Sequence, residues 1–208
     1  MKTSPWCLLA LLFAVSPAAA ELDFTVQHES MVADAIPVNG TYITDGNSRI
    51  YLRIMANWKV FNDAQTLECL PDTANSKLRL EHFSGPKLLT IDQAGARELQ
   101  QLAATQILPD AKNVVALPPE LNPLPLFGWN TLEVAHRYDY FGAPMRRSVM
   151  YVSMMPGRVV QLTVTAPDTD FDKVHKEARK FLGSWFEPSR DLPPDLQRKY
   201  KVPEAMAN

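Results

Sequence analysis

Two histidines, His82 and His136, are the residues of this sequence best placed to do chemistry. Each continues the apolar alternation of a predicted strand, so both side chains are expected to point toward a buried layer. If those strands are neighbours, the two imidazoles share a pocket with Tyr138 or Cys69, which would make a metal site or a proton-handling pair. The simpler interpretation, which we favour, places each histidine half-exposed at a strand end and hydrogen-bonded to backbone.

A second candidate site is the arginine pair Arg146 and Arg147, at the entrance to a predicted strand. With Lys112, Arg137 and Arg158 nearby, the pair would form a basic patch for an anionic ligand. Charged residues in such positions more often form a solvated edge that prevents pairing with other strands. The candidate binding residues from the sequence are therefore His82, His136, Tyr138, Arg146 and Arg147.

The sequence contains none of the common catalytic motifs. The patterns G-x-S-x-G, H-E-x-x-H, C-x-x-C, G-x-x-x-x-G-K and G-x-G-x-x-G are all absent. His175 has Arg179, and no metal ligand, four residues further along its predicted helix, so we expect His175 to be an exposed helix residue. The sequence predicts a protein that is not an enzyme, with no catalytic residue, no metal and no cofactor.

The first 20 residues have the pattern of a cleavable signal peptide. Lys2 supplies the positive start, residues 7–15 form an apolar run, and Ala18, Ala19 and Ala20 offer a cleavage site before Glu21. The apolar run is too short for the roughly 20 residues that cross a bilayer. We therefore expect export to the periplasm or the extracellular space, with no membrane span after cleavage.

Composition limits the partners and the means of stabilisation. Removal of residues 1–20 leaves 20 basic and 23 acidic residues, a balance too mild and too mixed to indicate nucleic acid as a partner. It also removes Cys7, so Cys69 has no partner for an intramolecular disulfide, and we expect it to be buried and inert. The length indicates a single domain over residues 21–186.

Hydrophobic periodicity predicts an alternation of strands with two helices. Residues 21–37 read as polar and irregular, and a hairpin follows at 41–55, so that residues 21–55 form an N-terminal elaboration. Beyond them we predict, in chain order, strands at 58–61, 66–70 and 77–83, a helix from Thr90 to Pro109, a strand at 112–117, a proline-rich excursion at 117–126, three long strands at 132–140, 148–155 and 160–166, a helix at 170–184, and a proline-rich polar tail at 187–208.

The last three strands are joined by short turns, which predicts an antiparallel meander. The strand at 148–155 is apolar on both faces, so it needs cover on both sides, and each helix has an apolar stripe that needs a sheet. We therefore expect an α+β fold in which an antiparallel β-sheet is flanked by helices on both faces.

Two stretches of the chain resemble the Mog1/PsbP/DcrB-like group of α/β/α sandwiches. Residues 56–83, ANWKVFNDAQTLECLPDTANSKLRLEHF, match its tryptophan-led strand and the two short strands after it. Residues 145–186 match its strand, turn, strand and closing helix that finishes near Ser-Trp. The resemblance covers about residues 56–186 and implies a non-enzymatic protein that binds partners or assists assembly.

The function that these observations favour is an exported, non-catalytic binding or assembly-helper protein. Its expected partner is another envelope or extracellular protein, and the sequence does not determine the oligomeric state. One alternative is a small-ligand carrier with a pocket beneath the 117–126 segment. Another is an enzyme with a dispersed site around His82 and His136.

Overall fold

The computed structural model describes residues 22–33, 36–85, 91–124, 126, 128–155 and 158–187. The predicted signal peptide lies outside the described residues, as does the predicted tail beyond residue 187. The helices and strands of the described residues are β1 (Leu22–Ala33), β2 (Ile36–Asp45), β3 (Ser48–Tyr51), β4 (Lys59–Asn62), β5 (Thr66–Leu70), β6 (Lys77–His82), α1 (Ala96–Thr105), β7 (Lys112–Ala116), β8 (Glu120–Leu121), β9 (Thr131–Tyr140), β10 (Ala143–Met155), β11 (Arg158–Pro167) and α2 (Phe171–Gly183).

The main sheet has the strand order β4-β5-β6-β11-β10-β9-β7, and β8 also pairs with β9. Every pair of neighbours in it is antiparallel. The predicted meander is confirmed as β9-β10-β11, whose register places Val149 opposite both Val134 and Thr163. A second, three-stranded antiparallel sheet has the order β1-β2-β3. The predicted α+β class, built on antiparallel strands, is confirmed.

Strand β10 is the centre of the packing because its two sets of alternate residues enter different clusters. Val149 and Tyr151 are fully buried in a cluster that also holds Ala96, Leu99 and Ala103 of α1. The alternate residues on the other side of the strand are Met150, Val152 and Met154. They belong to a cluster that also holds five residues of α2, namely Phe171, Val174, Ala178, Phe181 and Leu182. We call these two sides of the sheet the odd face and the even face, after the numbers of the β10 residues.

The helices follow the sequence pattern with one difference of length. The apolar stripe predicted for the closing helix is confirmed by the burial of Phe171, Val174, Ala178, Phe181 and Leu182, and Asp172 lies in the first turn of α2. Helix α1 begins at Ala96, several residues later than Thr90, because residues 91–95 form turns in which Asp92 accepts a hydrogen bond from the backbone of Gly95 at 2.9 Å. The predicted start of the helix at Thr90 lies outside the described residues.

The expectation that residues 21–37 are irregular is wrong. They contain the 12-residue strand β1, which pairs along most of its length with β2. Leu22 and Phe24 are fully buried and join Ile43, Ile50 and the residues of α2 in one cluster. The small sheet is therefore part of the core on the even face. The alternation is regular from Leu22 to Gln27, and the sequence interpretation missed it because His28, Glu29 and Ser30 then break the pattern.

A backbone bridge fastens the small sheet to the end of α2. Tyr51 N donates to Phe186 O at 2.8 Å, and Phe186 N donates to Tyr51 O at 2.9 Å.

Cys69 is 1% exposed, as predicted, and burial raises the pKa of its thiol to about 12, so the thiol is inert. Neither of the two described helices has the length and apolar character needed to cross a membrane.

Replacing Phe181 tests the packing between α2 and the even face. Phe181 is 1% exposed, and its ring lies 6.1 Å from that of Trp58. We expect Phe181→Ala to lower the free energy of unfolding by about 3 to 5 kcal/mol, because it removes a large buried ring and leaves a cavity. Urea unfolding followed by tryptophan fluorescence measures the change.

The matched control is Phe61→Ala, because Phe61 is 56% exposed on the edge strand β4. We expect that variant to change the free energy of unfolding by less than about 0.5 kcal/mol. Equal losses in the two variants would contradict the assignment of Phe181 to the core.

Candidate functional site

The two histidines do not meet. His82 lies on the even face, where it pairs with Val160, contacts Leu22 O at 2.8 Å through Nε2, and packs against the ring of Phe24. His136 lies on the odd face opposite Arg147, and strands β10 and β11 separate its strand from β6. The shared pocket, which was the alternative to the favoured interpretation, is therefore excluded, because apolar parity within each strand did not reveal which face of the sheet that strand would present. The favoured interpretation is confirmed for His82, which is half-buried and contacts a backbone carbonyl, and is wrong for His136, which is 2% exposed.

The arginine pair is divided in the same way, because consecutive residues of a strand point to opposite faces. Arg146 donates through Nε to Asp168 at 2.8 Å and through Nη1 to Asp172 at 2.7 Å, and it lies over the ring of Phe171. Arg147 instead reaches the end of α1 on the odd face. The basic patch that includes both arginines, which was the alternative, is therefore excluded. The favoured interpretation as a solvated edge is wrong as well, because Arg147 is 8% exposed and β10 is an inner strand of the sheet.

The odd face carries a groove of about 950 Å³ that we call the sheet groove. Helix α1 covers the part of this face formed by Val149 and Tyr151 and leaves the part formed by β6 and β11 open. The sheet groove is lined by Leu70, Asn75, Ser76, Lys77, Arg79, Glu81, Gln106, Ile107, Leu108, Tyr138, Tyr140, Phe141, Ala143, Met145, Arg147, Thr163 and Thr165. Of the five residues expected to bind, it contains Tyr138 and Arg147.

The middle of the sheet groove is polar. Thr165 of β11 pairs with Arg147 on one side and with Lys77 on the other, and Thr163 pairs with Arg79. Because neighbouring strands are about 4.8 Å apart, Thr165 lies between two cationic side chains, whereas Thr163 lies between Arg79 and Val149. Lys77 binds Glu68 at 2.6 Å and Arg79 binds Glu81 at 2.8 Å, so these two cations are largely neutralised.

Arg147 differs from the other two cations in having no carboxylate partner among the described residues. It is 8% exposed, and it donates through Nη1 to Ala103 O at 2.8 Å and through Nη2 to Gln106 Oε1 at 2.9 Å. Burial lowers the pKa of the guanidinium, although nearby Tyr151 and Tyr138 oppose this effect. The negative end of the α1 dipole stabilises the cation where it lies.

Two buried hydroxyl groups of the sheet groove have no hydrogen-bond partner in the structure. They are Thr163 Oγ1 and Ser76 Oγ, and their residues are 9% and 6% exposed. A buried hydroxyl without a partner costs free energy, so native proteins rarely keep one without a reason. Both residues line the sheet groove, and a ligand that reached either hydroxyl would supply the missing partner.

One end of the sheet groove is apolar and exposed. Phe141, at the tip of the β9-β10 hairpin, is 81% exposed, and Leu108, just beyond α1, is 49% exposed. Phe141 has φ of 48° and Gly142 has φ of 79°, and this tight turn holds the ring edge-on to Tyr140 at 4.5 Å. Burial raises the pKa of Tyr138, so its phenol stays neutral beside them. Exposed rings beside a concave surface are typical of binding sites.

His136 lies behind the sheet groove and is 2% exposed. Burial lowers the pKa of its imidazole and the charge of Arg147 lowers it further, so the ring is neutral at pH 7. Its Nδ1 has no hydrogen-bond partner in the structure. His136 is therefore a neutral core residue in this fold. Among the described residues, no group of three His, Cys, Asp or Glu side chains is arranged to hold a metal ion.

A buried charge cluster on the even face corrects the expectation that His175 is exposed. The His175 side chain is 19% exposed and donates from Nε2 to Glu133, whose side chain is 7% exposed. Arg179 donates to Glu133 at 2.6 Å and to Glu120 of β8 at 2.9 Å. Burial raises the pKa of Glu133, but the bonds from His175 and Arg179 outweigh that effect and lower it. The cluster ties α2 to β9 and to the proline-rich segment.

The proline-rich segment does not contribute to the sheet groove, because none of the lining residues comes from 117–126. Instead β8 adds to the side of β9, and Leu126 is 3% exposed in the cluster of the even face.

The sequence did carry a signal for the groove that its interpretation missed. Polar residues share the odd parity of β6 and β11, and they are Lys77, Arg79, Glu81, Gln161, Thr163 and Thr165.

Comparison with known proteins identified structures but no sequence family. No family model matches the chain, and no curated protein matches it. LpqN of Mycobacterium tuberculosis, described as involved in cell envelope biogenesis, has 12% sequence identity and a TM-score of 0.45, over 78% of this chain and 91% of that chain. The protein of unknown function PA94 from Pseudomonas aeruginosa has 9% identity and a TM-score of 0.41, over 81% of this chain and 97% of that chain.

Removing the unpartnered hydroxyl of Thr163 should stabilise the protein. We expect Thr163→Val to raise the free energy of unfolding by about 1 kcal/mol, because valine has the same shape and buries no unsatisfied polar group. Thr165→Val, at a half-buried position two residues away, is expected to change it by less than about 0.5 kcal/mol. Urea unfolding without ligand measures both. A loss of stability in Thr163→Val would mean that the hydroxyl is hydrogen-bonded in solution.

The Glu133 cluster predicts a pH dependence. A carboxyl group whose pKa is lowered in the folded state stabilises the protein above its unfolded pKa of 4.5, and the contribution is lost as pH falls below that value. We expect Glu133→Gln to lower the free energy of unfolding by about 3 kcal/mol at pH 7. We also expect the wild-type protein to lose more stability than this variant between pH 6 and pH 3.

Glu177→Gln is the control for the pH dependence, because Glu177 lies on the same helix and pairs with Lys180 near the surface. Its free energy of unfolding should follow that of the wild type to within about 0.5 kcal/mol at each pH. Parallel pH profiles for Glu133→Gln and the wild type would exclude the assigned role of Glu133.

Proposed function

We propose that this chain is an exported, non-catalytic binding protein whose binding surface is the sheet groove. The observation that carries the proposal is the composition of this surface. Two buried hydroxyl groups without partners lie in the same concavity as the exposed side chains of Phe141 and Leu108. A binding pocket combines unpaired polar groups, which can form hydrogen bonds with a ligand or partner segment, with apolar surface that the bound molecule can bury.

The chemistry of the lining residues supports binding rather than catalysis. Two of the three cations are paired with carboxylates, Glu68 and Glu81, and Arg147 is held by the end of α1. His136 is buried behind the groove and does not line it. No described side chain of the groove therefore pairs a nucleophile with a base in the manner of a hydrolytic site.

Membership of the Mog1/PsbP/DcrB-like group and export belong to the same proposal. The α1 and α2 clusters on alternate sides of β10 support an α/β/α sandwich, and β10, β11 and α2 supply its two strands and closing helix. The pattern of residues 1–20 supports export, which places the partner in the periplasm or the extracellular space.

Binding of the uncharged dye Nile red tests the proposed function. We expect the purified protein to enhance Nile red fluorescence saturably, because the dye gains an apolar environment against Phe141, Leu108 and Met145. Replacement of both rim residues, as Phe141→Ser with Leu108→Ser, should weaken the dye's affinity about tenfold through lost apolar contact. Both side chains are exposed, so the circular dichroism spectrum should be unchanged.

Phe61→Ser is the matched control, because Phe61 is also an exposed phenylalanine but lies on β4, outside the sheet groove. We expect it to leave Nile red affinity unchanged. Absence of saturable binding, or an equal loss of affinity in the control variant, would reject the sheet groove as the binding surface.

A further inference from the structure

The polarity of the sheet groove changes along β10. Ala143, Met145 and Arg147 all lie on the odd face, in that order from the hairpin tip inward. Four residues of strand cover about 13 Å, so one end of the groove is apolar and the other end is cationic within that distance. Tyr140 pairs with Ala143 and Tyr138 pairs with Met145, which extends the apolar end across β9.

The inner end of the groove has an excess of positive charge and of hydroxyl groups. Arg147 lies beside Thr165 in the register of β10 and β11, and Thr163 is its diagonal neighbour. Residues in that relation have Cβ atoms within about 8 Å of each other, so one small group can contact all three side chains. Thr163 Oγ1 is a donor without a partner, and no carboxylate among the described residues contacts Arg147. An anionic group would balance this charge and accept these bonds.

The apolar end suits a chain without polar atoms better than a peptide. The floor of the sheet groove is the face of a sheet, whose backbone groups are used in the ladders between β6, β11, β10 and β9. A peptide laid on this face would bury its own N–H and C=O groups among Tyr138, Met145 and Leu108 with few partners. A hydrocarbon chain has no such groups to satisfy, and a volume of about 950 Å³ accommodates a molecule of that size.

We propose that the ligand of the sheet groove is an anionic amphiphile, with one apolar chain toward Phe141 and an anionic head between Arg147, Thr163 and Thr165. This inference rests on the proposed function, because it names the class of ligand for the same groove. Lys77 and Arg79 are paired with Glu68 and Glu81, so the charge of Arg147 is the one left for the head, and its sign is complementary.

Displacement of bound Nile red by C12 compounds with different heads tests the inference. We expect dodecanoate and dodecyl phosphate to displace the dye at concentrations about tenfold lower than dodecan-1-ol, because only they offer a charged acceptor to Arg147 and Thr163. Dodecylammonium should be weaker still, because its charge repels Arg147. Acetate and inorganic phosphate, which have a head but no chain, should not displace the dye at millimolar concentration.

Variants of Thr163, Thr169 and Arg147 test whether the preference for an anionic head depends on the residues proposed to bind that head. Thr163→Val should reduce the preference for dodecanoate over dodecan-1-ol at least about fivefold, because it removes the free hydroxyl. Thr169→Val is the control, because Thr169 is exposed and lies outside the groove. Arg147→Gln should abolish the preference. If that variant fails to fold because α1 loses its terminal contact, the head-group series and Thr163→Val still decide the question.

The results separate the two proposals. Equal displacement by dodecanoate, dodecan-1-ol and dodecylammonium would overturn the anionic amphiphile and leave the groove as an apolar binding site. A preference unchanged in Thr163→Val would also overturn it. A dimer in sedimentation analysis that Nile red dissociates would assign the groove to a second copy of the chain. Failure of Nile red itself to bind would reject the proposed function.

Discussion

The rest of the structure depends on the two-sided burial of β10. Val149 and Tyr151 point to one side, Met150 and Val152 to the other, and none is more than 2% exposed. A strand of this kind is stable only if other elements exclude water from both its faces. The order of the chain supplies this cover, since β9 and β11 flank the strand and α1 and α2 contribute to the separate clusters.

The sheet groove exists because the cover of the odd face is incomplete. Helix α1 has only ten residues, and Arg147 donates to Ala103 O in its last turn, whereas residues of β6 and β11 line the groove. The uncovered strands carry threonine and charged residues on that side, whereas the even face of the same strands is apolar and receives the small sheet and α2. The groove therefore exposes mainly polar side chains, which lowers the free-energy cost of leaving this part of the sheet uncovered. The hydroxyl groups of Thr163 and Ser76 are the polar groups of the groove that lack hydrogen bonds among the described residues.

Much of the fold could be predicted from the sequence because local periodicity encodes it. The meander, the strand at 66–70, the apolar face of α2 and the burial of Cys69 all follow from patterns within a few residues. The strand β1 was missed because its alternation is regular only from Leu22 to Gln27 and is followed by His28, Glu29 and Ser30. His175 was taken for an exposed residue because its partner Glu133 is 42 positions away in the chain.

The sequence by itself determined which residues alternate and which helices are amphipathic, since these are properties of neighbouring residues. Only the tertiary structure decided which strands are adjacent and which face each one presents. That decision placed His82 and His136 on opposite sides of the sheet and divided Arg146 from Arg147. It also brought Thr163 beside Arg79 of a strand 84 positions earlier, which no local pattern specifies. The sheet groove therefore depends on the order of the strands, because its lining residues come together only when β6, β11, β10 and β9 pair side by side.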